Sequence, residues 1–201
     1  MLKKMMLLAM SVGALVAFAA PASASAADVW TDWNGAEHAT LEEGQTAEQA
    51  FEGVLSFSAN SPLGVSTFSC NVTVLVEAEG PAGGQITKFA PTTGSCSGNK
   101  IFTGCELVGD SNNGPWNIDV STTPATVTKS GGNVTISNTY SNCAFGLTGS
   151  HLEFTSVSVT PTLNGEGTIT SLAISGTSTS GAVASGSVEP EEGLTLGIES
   201  L

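Results

Sequence analysis

Apolar and polar residues alternate through much of the chain, which is the period of a β-strand with one buried face. Val72, Val74 and Val76 alternate with Asn71 and Thr73. The same period continues in several later segments, among them Trp116–Val120, Ala125–Val127, Val134–Ile136, Leu152–Phe154 and Leu194–Ile198. The pattern predicts short strands and one shared apolar core.

Turn-forming residues separate these segments. They include Asn34-Gly35, Gly83-Gly84, Asn113-Gly114-Pro115, Asn164-Gly165 and Glu192-Gly193. Short strands with such turns at regular intervals are typical of sandwiches and barrels. We therefore predict an all-β fold, an antiparallel β-sandwich of about ten strands, with a barrel as the alternative.

The alternation changes phase twice, between Phe154 and Val157 and between Ile169 and Leu172. A one-residue slip turns the inward face outward, so each change predicts a bulge or a strand that crosses between sheets. Only Thr40–Glu52 has helical features, because Thr40 with Glu43 matches a capping box. At most one or two helical turns are expected there.

The N-terminus has the pattern of a bacterial secretory signal. Lys3 and Lys4 precede an apolar run, and Ala22-Ser23-Ala24-Ser25-Ala26 supplies small residues for cleavage. We expect residues 1–26 to be a signal peptide and residues 27–201 to form a single secreted β-domain. No later apolar run is long enough for a membrane span.

Secretion places the four cysteines in an oxidising compartment, where disulfides are expected. A hairpin of residues 67–78 and 85–91 would bring Cys70 near Cys96, which favours Cys70–Cys96 with Cys105–Cys143. The alternative joins Cys96 to Cys105 and Cys70 to Cys143. The spacings do not fit a zinc site, which needs closely spaced pairs.

The charge is strongly acidic and limits the possible partners. Without residues 1–26 the chain keeps three lysines against 18 acidic residues, a formal charge of −15, and it has no arginine. Such a surface repels nucleic acid and anionic lipid. We expect a neutral or cationic partner, such as a glycan or another protein.

Few residues suggest catalysis. His38 and His151 are the only imidazoles, and no nucleophile-elbow motif accompanies them. A glycosidase would need two converging carboxylates, and the possible pairs are Glu77 with Glu79, Glu106 with Asp110, and Glu153 with Glu166. None has a distinctive spacing, so we expect solvated strand faces and no catalytic residue.

Two acidic turns are candidates for cation binding. Asp110-Ser111-Asn112-Asn113-Gly114 departs from the EF-hand loop, which places glycine sixth and glutamate twelfth. Glu189-Pro190-Glu191-Glu192-Gly193 has the character of an exposed turn. We expect neither a metal nor another cofactor.

Two tryptophans follow the predicted cleavage site. Their i, i+3 spacing puts Trp30 and Trp33 on opposite faces of a strand. One of them would then be exposed and could stack on a carbohydrate or polymer. The other interpretation is a tryptophan that fills the core and fixes the N-terminal segment.

Several motifs resemble those of a set of secreted proteins. They are Gly53-Val54-Leu55-Ser56-Phe57, Cys70-Asn71-Val72-Thr73, Cys96, Gly104-Cys105, Gly114-Pro115-Trp116 and Asn142-Cys143. Over residues 30–150 they are similar to uncharacterised secreted β-proteins of high-GC Gram-positive bacteria. The resemblance implies a disulfide-braced β-fold and no particular activity.

Together these patterns predict a non-enzymatic protein of the extracellular space or the cell envelope. A binding or structural surface module is the leading hypothesis. The alternatives are a secreted hydrolase with a carboxylate pair and a carrier of apolar ligands, which would need a cavity of several hundred Å³, as is typical of ligand sites.

Overall fold

The computed structural model describes residues 28–33, 38–191 and 196–200. Almost all of the regular structure in these residues is β-strand, as the alternation predicts. The elements are β1 (Asp28–Trp33), β2 (His38–Thr40), β3 (Thr46–Ser61), β4 (Gly64–Glu79), β5 (Gly83–Pro91), β6 (Ser97–Gly98), a 3-10 helix (Lys100–Phe102), β7 (Glu106–Asn112), β8 (Trp116–Asp119), β9 (Ala125–Thr128), β10 (Val134–Ser141), β11 (Gly149–Phe154), β12 (Val157–Leu163), β13 (Ile169–Thr177), β14 (Val183–Pro190) and β15 (Leu196–Ser200).

Eight antiparallel strands form a closed barrel in the order β3-β14-β13-β12-β9-β8-β5-β4. The pairing of β3 with β4 closes the ring and runs in unbroken register from Thr46 opposite Glu79 to Ser61 opposite Gly64. The all-β prediction is confirmed. The closed ring corresponds to the barrel alternative, with additional strands outside it, among them β6 on β4.

Two three-stranded sheets lie at opposite ends of the barrel. At the first end, β1 lies between β2 and β15, and its Trp30 backbone N–H donates to the carbonyl oxygen of Pro81 at 2.7 Å. At the second end, β10 lies between β7 and β11. There the Thr179 backbone N–H donates to the carbonyl oxygen of Glu153 at 2.8 Å.

The apolar residues of the alternating segments fill the barrel. Val72, Val74 and Val76 of β4 are all buried, as are Trp116 and Ile118 of β8. Side chains of β10 and β11 also reach the barrel interior. The remaining space inside is an apolar cavity of about 40 Å³, so the barrel is packed with side chains.

Both predicted phase changes correspond to real features. Between Phe154 and Val157 the chain leaves the second-end sheet and enters the barrel. Between Ile169 and Leu172 the pairing of β12 with β13 contains a bulge, because Thr162 pairs with Ser171 and Leu163 pairs with Ile169, which leaves Thr170 as the extra residue. Each prediction is confirmed, because each change of inward face occurs where the pairing is interrupted.

The helical turns predicted for residues 40–52 are wrong. The segment contains the end of β2, a turn and the start of β3. Gln49 and Phe51 are buried on the strand period, and that burial outweighs the local capping pattern. In the described part of the chain, no helix has the length and apolar character needed to cross a membrane.

Closure of the barrel requires a close approach of β3 and β14. A Cβ added to Gly186 would lie 2.1 Å from the carbonyl oxygen of Val54. We expect Gly186→Ala to lower the free energy of unfolding by about 2 kcal/mol or more, because the two backbones must separate. Denaturant unfolding measures this difference.

Gly165→Ala is the matched control, because its added Cβ meets no atom within 4 Å. Its free energy of unfolding should stay within about 0.5 kcal/mol of the wild-type value. Equal stability of the two variants would contradict the close approach.

Candidate functional site

Three aromatic rings meet at the second end of the barrel. Tyr140 of β10 packs edge-on against Phe68 of β4, with ring centroids 4.8 Å apart, and against Phe102 of the 3-10 helix at 5.8 Å. Phe68 and Phe102 are 5.4 Å apart. Edge-to-face packing of this kind adds to the stabilisation from burial. The rings join a barrel strand, the helix and the second-end sheet.

Each of these rings lies close in sequence to a disulfide-bonded cysteine. The disulfides are Cys70–Cys96 and Cys105–Cys143, which confirms the favoured pairing. The first fastens the connection after β5 to β4, and the second joins the start of β7 to the connection after β10. Two disulfides indicate an oxidising compartment.

A groove lies over the ring of Tyr140. Its volume is about 180 Å³. Apolar side chains from the barrel, the helix and the second-end sheet form its walls, namely Phe57, Ile101, Phe102, Leu147, Leu152 and Ala182. We call this recess the Tyr140 groove.

Hydroxyl groups supply the polar atoms of the Tyr140 groove. The Tyr140 Oη atom lies 2.8 Å from Ser150 Oγ, and both residues line the groove. Burial raises the pKa of the Tyr140 hydroxyl, while hydrogen bonds with the side chains of Ser150 and Asn138 lower it. The phenol therefore stays neutral and can donate or accept a hydrogen bond.

Two exposed apolar residues belong to segments that adjoin residues of the Tyr140 groove. Phe145, which is 60% exposed, precedes the groove residue Leu147 by two positions. Leu63 is also exposed, in the turn between β3 and β4. Gly64, which follows Leu63 and begins β4, lies close to Lys100, because a Cβ added to Gly64 would meet Lys100 Nζ. Lys100 in turn precedes the groove residue Ile101. Large apolar side chains around a recess are typical of binding surfaces.

The acidic residues are concentrated at the other end of the molecule. Most of those that the structure describes lie on the first-end sheet, at the adjoining strand ends and in the turns there. They are Asp28, Asp32, Glu42, Glu43, Glu48, Glu77, Glu79, Asp119, Glu166, Glu189, Glu191 and Glu199. Lys100 and Lys129 lie at the second end together with Glu106, Asp110 and Glu153, so the first end carries the larger negative charge.

Trp30 is not a surface-binding residue. It is only 1% exposed, and its Nε1 donates a hydrogen bond to the carbonyl oxygen of Gly83 at 2.7 Å. The surface-binding prediction is wrong for this residue, because the side chain fills the core between β1 and the barrel. The side chain of Trp33 lies outside the described part of the structure, so the prediction for Trp33 stays a prediction.

Ser137, His151 and Glu153 form a polar chain on β10 and β11. Ser137 Oγ lies 2.7 Å from His151 Nδ1, and His151 Nε2 lies 3.3 Å from Glu153 Oε1. The His151 and Glu153 side chains are 58% and 44% exposed, so these hydrogen-bonded side chains lie on an open face of the sheet. The other histidine, His38, begins β2, and its side chain lies outside the described part.

The candidate carboxylate pairs lie on exposed surfaces or far apart. Glu77 and Glu79 point outward from β4. Glu106 and Asp110 are exposed on β7. Glu153 is at the second end on β11, whereas Glu166 is in the turn at the first end. In the structure as described, no three metal-ligating side chains converge on one point.

In residues 110–114, the side-chain oxygens of the two asparagines accept hydrogen bonds from the protein itself. Asn113 Oδ1 accepts hydrogen bonds from Trp116 Nε1 at 2.7 Å and from the backbone N–H of Thr135 at 2.9 Å. Asn112 Oδ1 accepts one from the backbone N–H of Gly114. The asparagines fix the entry into β8 instead of facing a cation. In the second candidate turn, Glu189 is exposed near the end of β14. Residues 192 and 193 lie outside the described ranges.

The sequence did not predict the Tyr140 groove, although it contains one signal of it. The alternation of Val134 and Ile136 continues through Asn138 and Tyr140, all of which are buried. Following the period for two more steps would have placed a tyrosine and an asparagine on the inner face. The remaining walls come from distant strands, which no local pattern connects.

No protein-family model, no curated protein and no solved structure matches the chain.

The protonation of Tyr140 gives a direct test of the groove geometry. Tyr140 is the only tyrosine, so tyrosinate absorbance reports on this group alone. We expect its pKa to lie above 10.0 because of burial. Ser150→Ala should raise the pKa further, since it removes a hydrogen bond that lowers it.

Ser58→Ala is the control, because Ser58 lines the groove without a hydrogen bond to Tyr140. A pKa raised in the folded state also makes stability depend on pH. The contribution of Tyr140 to the free energy of unfolding is fully present below its unfolded-state pKa and is lost as the pH rises through its folded-state pKa. A normal Tyr140 pKa, or equal shifts in the two variants, would contradict the geometry.

Proposed function

We propose that this protein is a secreted, non-enzymatic binding module of the extracellular space or the cell envelope, and that it binds an uncharged ligand in the Tyr140 groove. The signal-like N-terminus and the two disulfides support secretion. The groove supports a binding role, because ligand sites are apolar recesses with a few convergent polar groups.

The observation that carries the proposal is the combination of apolar walls and hydroxyl groups in one recess. Phe57, Phe102 and Leu152 offer apolar surface, and Tyr140 and Ser150 offer hydrogen-bonding atoms that can orient a ligand. The disulfides hold the contributing segments together before a ligand arrives. A preorganised site loses less conformational entropy on binding.

The distribution of charge supports an uncharged ligand at this site. No ionisable side chain other than Tyr140 lines the groove. A charged group placed there would lose hydration without gaining a partner. A cationic partner suits the first end better, where the carboxylates are concentrated.

A carrier of large apolar ligands is less well supported than a surface binding module. The barrel cavity has a volume of about 40 Å³, which is well below the roughly 150 Å³ of a cavity that binds benzene. Side chains of the barrel strands and the second-end sheet already fill the interior, including Val134 and Phe154.

A hydrolase is the second candidate function, favoured by the chain of Ser137, His151 and Glu153. Acyl transfer also needs donors for the oxyanion and a site that excludes water. Ser137 lies on the central strand of its sheet, between β7 and β11, where the ladders use the backbone N–H groups. The exposed face gives little shelter from water.

Fluorophosphonate labelling tests the hydrolase candidate. We expect no covalent adduct at Ser137, because neither a cleft nor an oxyanion site accompanies it. Intact mass measurement detects the adduct, with a known serine hydrolase as the positive control. A labelled Ser137 that becomes unreactive in His151→Ala would favour the hydrolase over the binding module.

Ligand binding by the groove can be tested with a panel of small, uncharged ring compounds. Methyl NMR signals of Leu147, Leu152 and Ala182 should shift, since these side chains line the groove. Ala59→Leu should remove the shifts by filling the groove, to which Ala59 contributes. Ala173→Leu is the control because Ala173 is exposed on β13.

Either of two results would contradict the proposed function. One is that no compound in the panel shifts the groove methyl signals. The other is that the shifts persist unchanged in Ala59→Leu while that variant remains folded.

A further inference from the structure

We propose that the partner at the Tyr140 groove is a second copy of this chain, and that the exposed Phe145 ring of each copy enters the groove of the other. This inference rests on the proposed function and specifies the partner of the same groove. It follows from the position of Phe145, the size of the groove, and the charges beside the ring and beside the groove.

A braced turn exposes the Phe145 side chain. The residue is 60% exposed and does not line the groove of its own chain. Before it, the Ala144 backbone N–H donates to the carbonyl oxygen of Thr103 at 2.9 Å. After it, the Gly146 backbone N–H donates to the carbonyl oxygen of Cys143 at 3.1 Å, and Cys143 is disulfide-bonded. A ring held outward in this way loses little conformational entropy when a partner binds it.

The Tyr140 groove has the size and the lining for one aromatic ring. Its volume is about 180 Å³, and an apolar cavity of about 150 Å³ is large enough for benzene. Phe57 and Phe102 of its walls can pack edge-on against an added ring. The Phe145 ring needs no hydrogen bond, so the bond between Tyr140 and Ser150 stays intact when the groove is filled.

The ring and the groove belong to neighbouring parts of one surface. Phe145 precedes the groove residue Leu147 by two positions. In a two-fold dimer the same patch is used on both copies, and each residue makes its contact twice. One projecting ring beside one recess therefore gives two identical insertions, and a second copy supplies everything that the contact requires.

Exposed apolar side chains are concentrated at the same end of the molecule. The described ranges contain seven large ones, and five of these belong to strands or turns of the second end, namely Leu63, Val65, Val108, Phe145 and Val183. Exposed apolar groups gathered in one region are typical of an interaction surface. The second end is therefore the end that gains most from being covered.

The charges allow two second ends to meet, whereas two first ends repel each other. Most of the described carboxylates lie at the first end. The second end carries Lys100 and Lys129 together with Glu106, Asp110 and Glu153, so its charges nearly balance. Repulsion between the acidic first ends favours an arrangement that keeps them far apart, and contact through the second ends does so.

The charges beside the ring and beside the groove are opposite in sign. Lys100 directly precedes the groove residue Ile101, and within the described residues its side chain takes part in no ion pair. Glu106 adjoins the turn that carries Phe145, because Asn142 Nδ2 donates a hydrogen bond to Glu106 Oε2 at 2.9 Å. Insertion of the ring brings Glu106 of one copy toward Lys100 of the other, which favours this orientation.

Sedimentation equilibrium of the disulfide-bonded protein measures the dimer. Phe145→Ala should raise the dimer dissociation constant at least about 100-fold, because both copies lose the ring that fills the groove. Leu163→Ala is the matched control, since Leu163 is an exposed apolar residue at the first end. It should keep the wild-type constant. Both side chains are exposed, so both variants should fold.

A mixture of two variants tests the reciprocal insertion. Phe145→Ala keeps the groove and lacks the ring, whereas Ala59→Leu keeps the ring and fills the groove. Each variant alone should be monomeric. The mixture should form a heterodimer about tenfold weaker than the wild-type dimer, because one of two independent insertions remains. A mixture that dimerises no better than the separate variants would contradict the reciprocal contact.

Charge reversal tests the orientation of the two copies. Lys100→Glu should weaken the dimer about fivefold, because like charges then face each other across the contact. Adding Glu106→Lys to that variant should restore the wild-type constant, since the opposite charges are exchanged. A double variant that dimerises no better than Lys100→Glu would overturn this orientation.

The outcomes separate the second-copy partner from the proposed function. A wild-type protein that stays monomeric at millimolar concentration, or a dimer that survives in Phe145→Ala, would overturn the second-copy partner. The binding module would still stand if ring compounds shift the groove methyl signals of Phe145→Ala, in which the groove is open. A monomeric wild type, together with no shift by any ring compound in either protein, would overturn both.

Discussion

The pairing of β3 with β4 is the constraint on which the rest of the structure depends. It is the one contact that turns an open sheet of eight strands into a ring, and it continues along the full length of both strands. A closed ring leaves no barrel edge open to another chain. It also fixes where the strands end, and the two small sheets are built on those ends.

The second-end sheet is held against this frame by the aromatic rings and the disulfides. Phe68 belongs to β4 itself, so packing of Phe102 and Tyr140 on it joins the helix and β10 to the closing strand. The disulfides limit how far these segments can separate in the unfolded chain. The Tyr140 groove is therefore a product of long-range closure and not of a local motif.

The β class, the disulfide pairing and both changes of phase could be predicted from the sequence. Strand periodicity and hairpin reach are local properties, and residues 67–91 contain both of the strands that bring Cys70 to Cys96. The choice between sandwich and barrel depends on whether β3 meets β4 and β14 at once, which no short segment encodes. The groove was missed for the same reason, since Phe57, Phe102, Tyr140 and Ala182 are distant in sequence.

The uneven distribution of charge along the barrel makes the two ends of the molecule electrically different. The first end carries most of the described carboxylates, and the second end carries a mixture of lysines and carboxylates. The molecule therefore has a permanent electric dipole along the barrel axis. Near a positively charged surface, such a molecule turns its first end inward before any specific contact is made. The Tyr140 groove would then face the surrounding solution, and added salt would weaken this alignment by screening the charges.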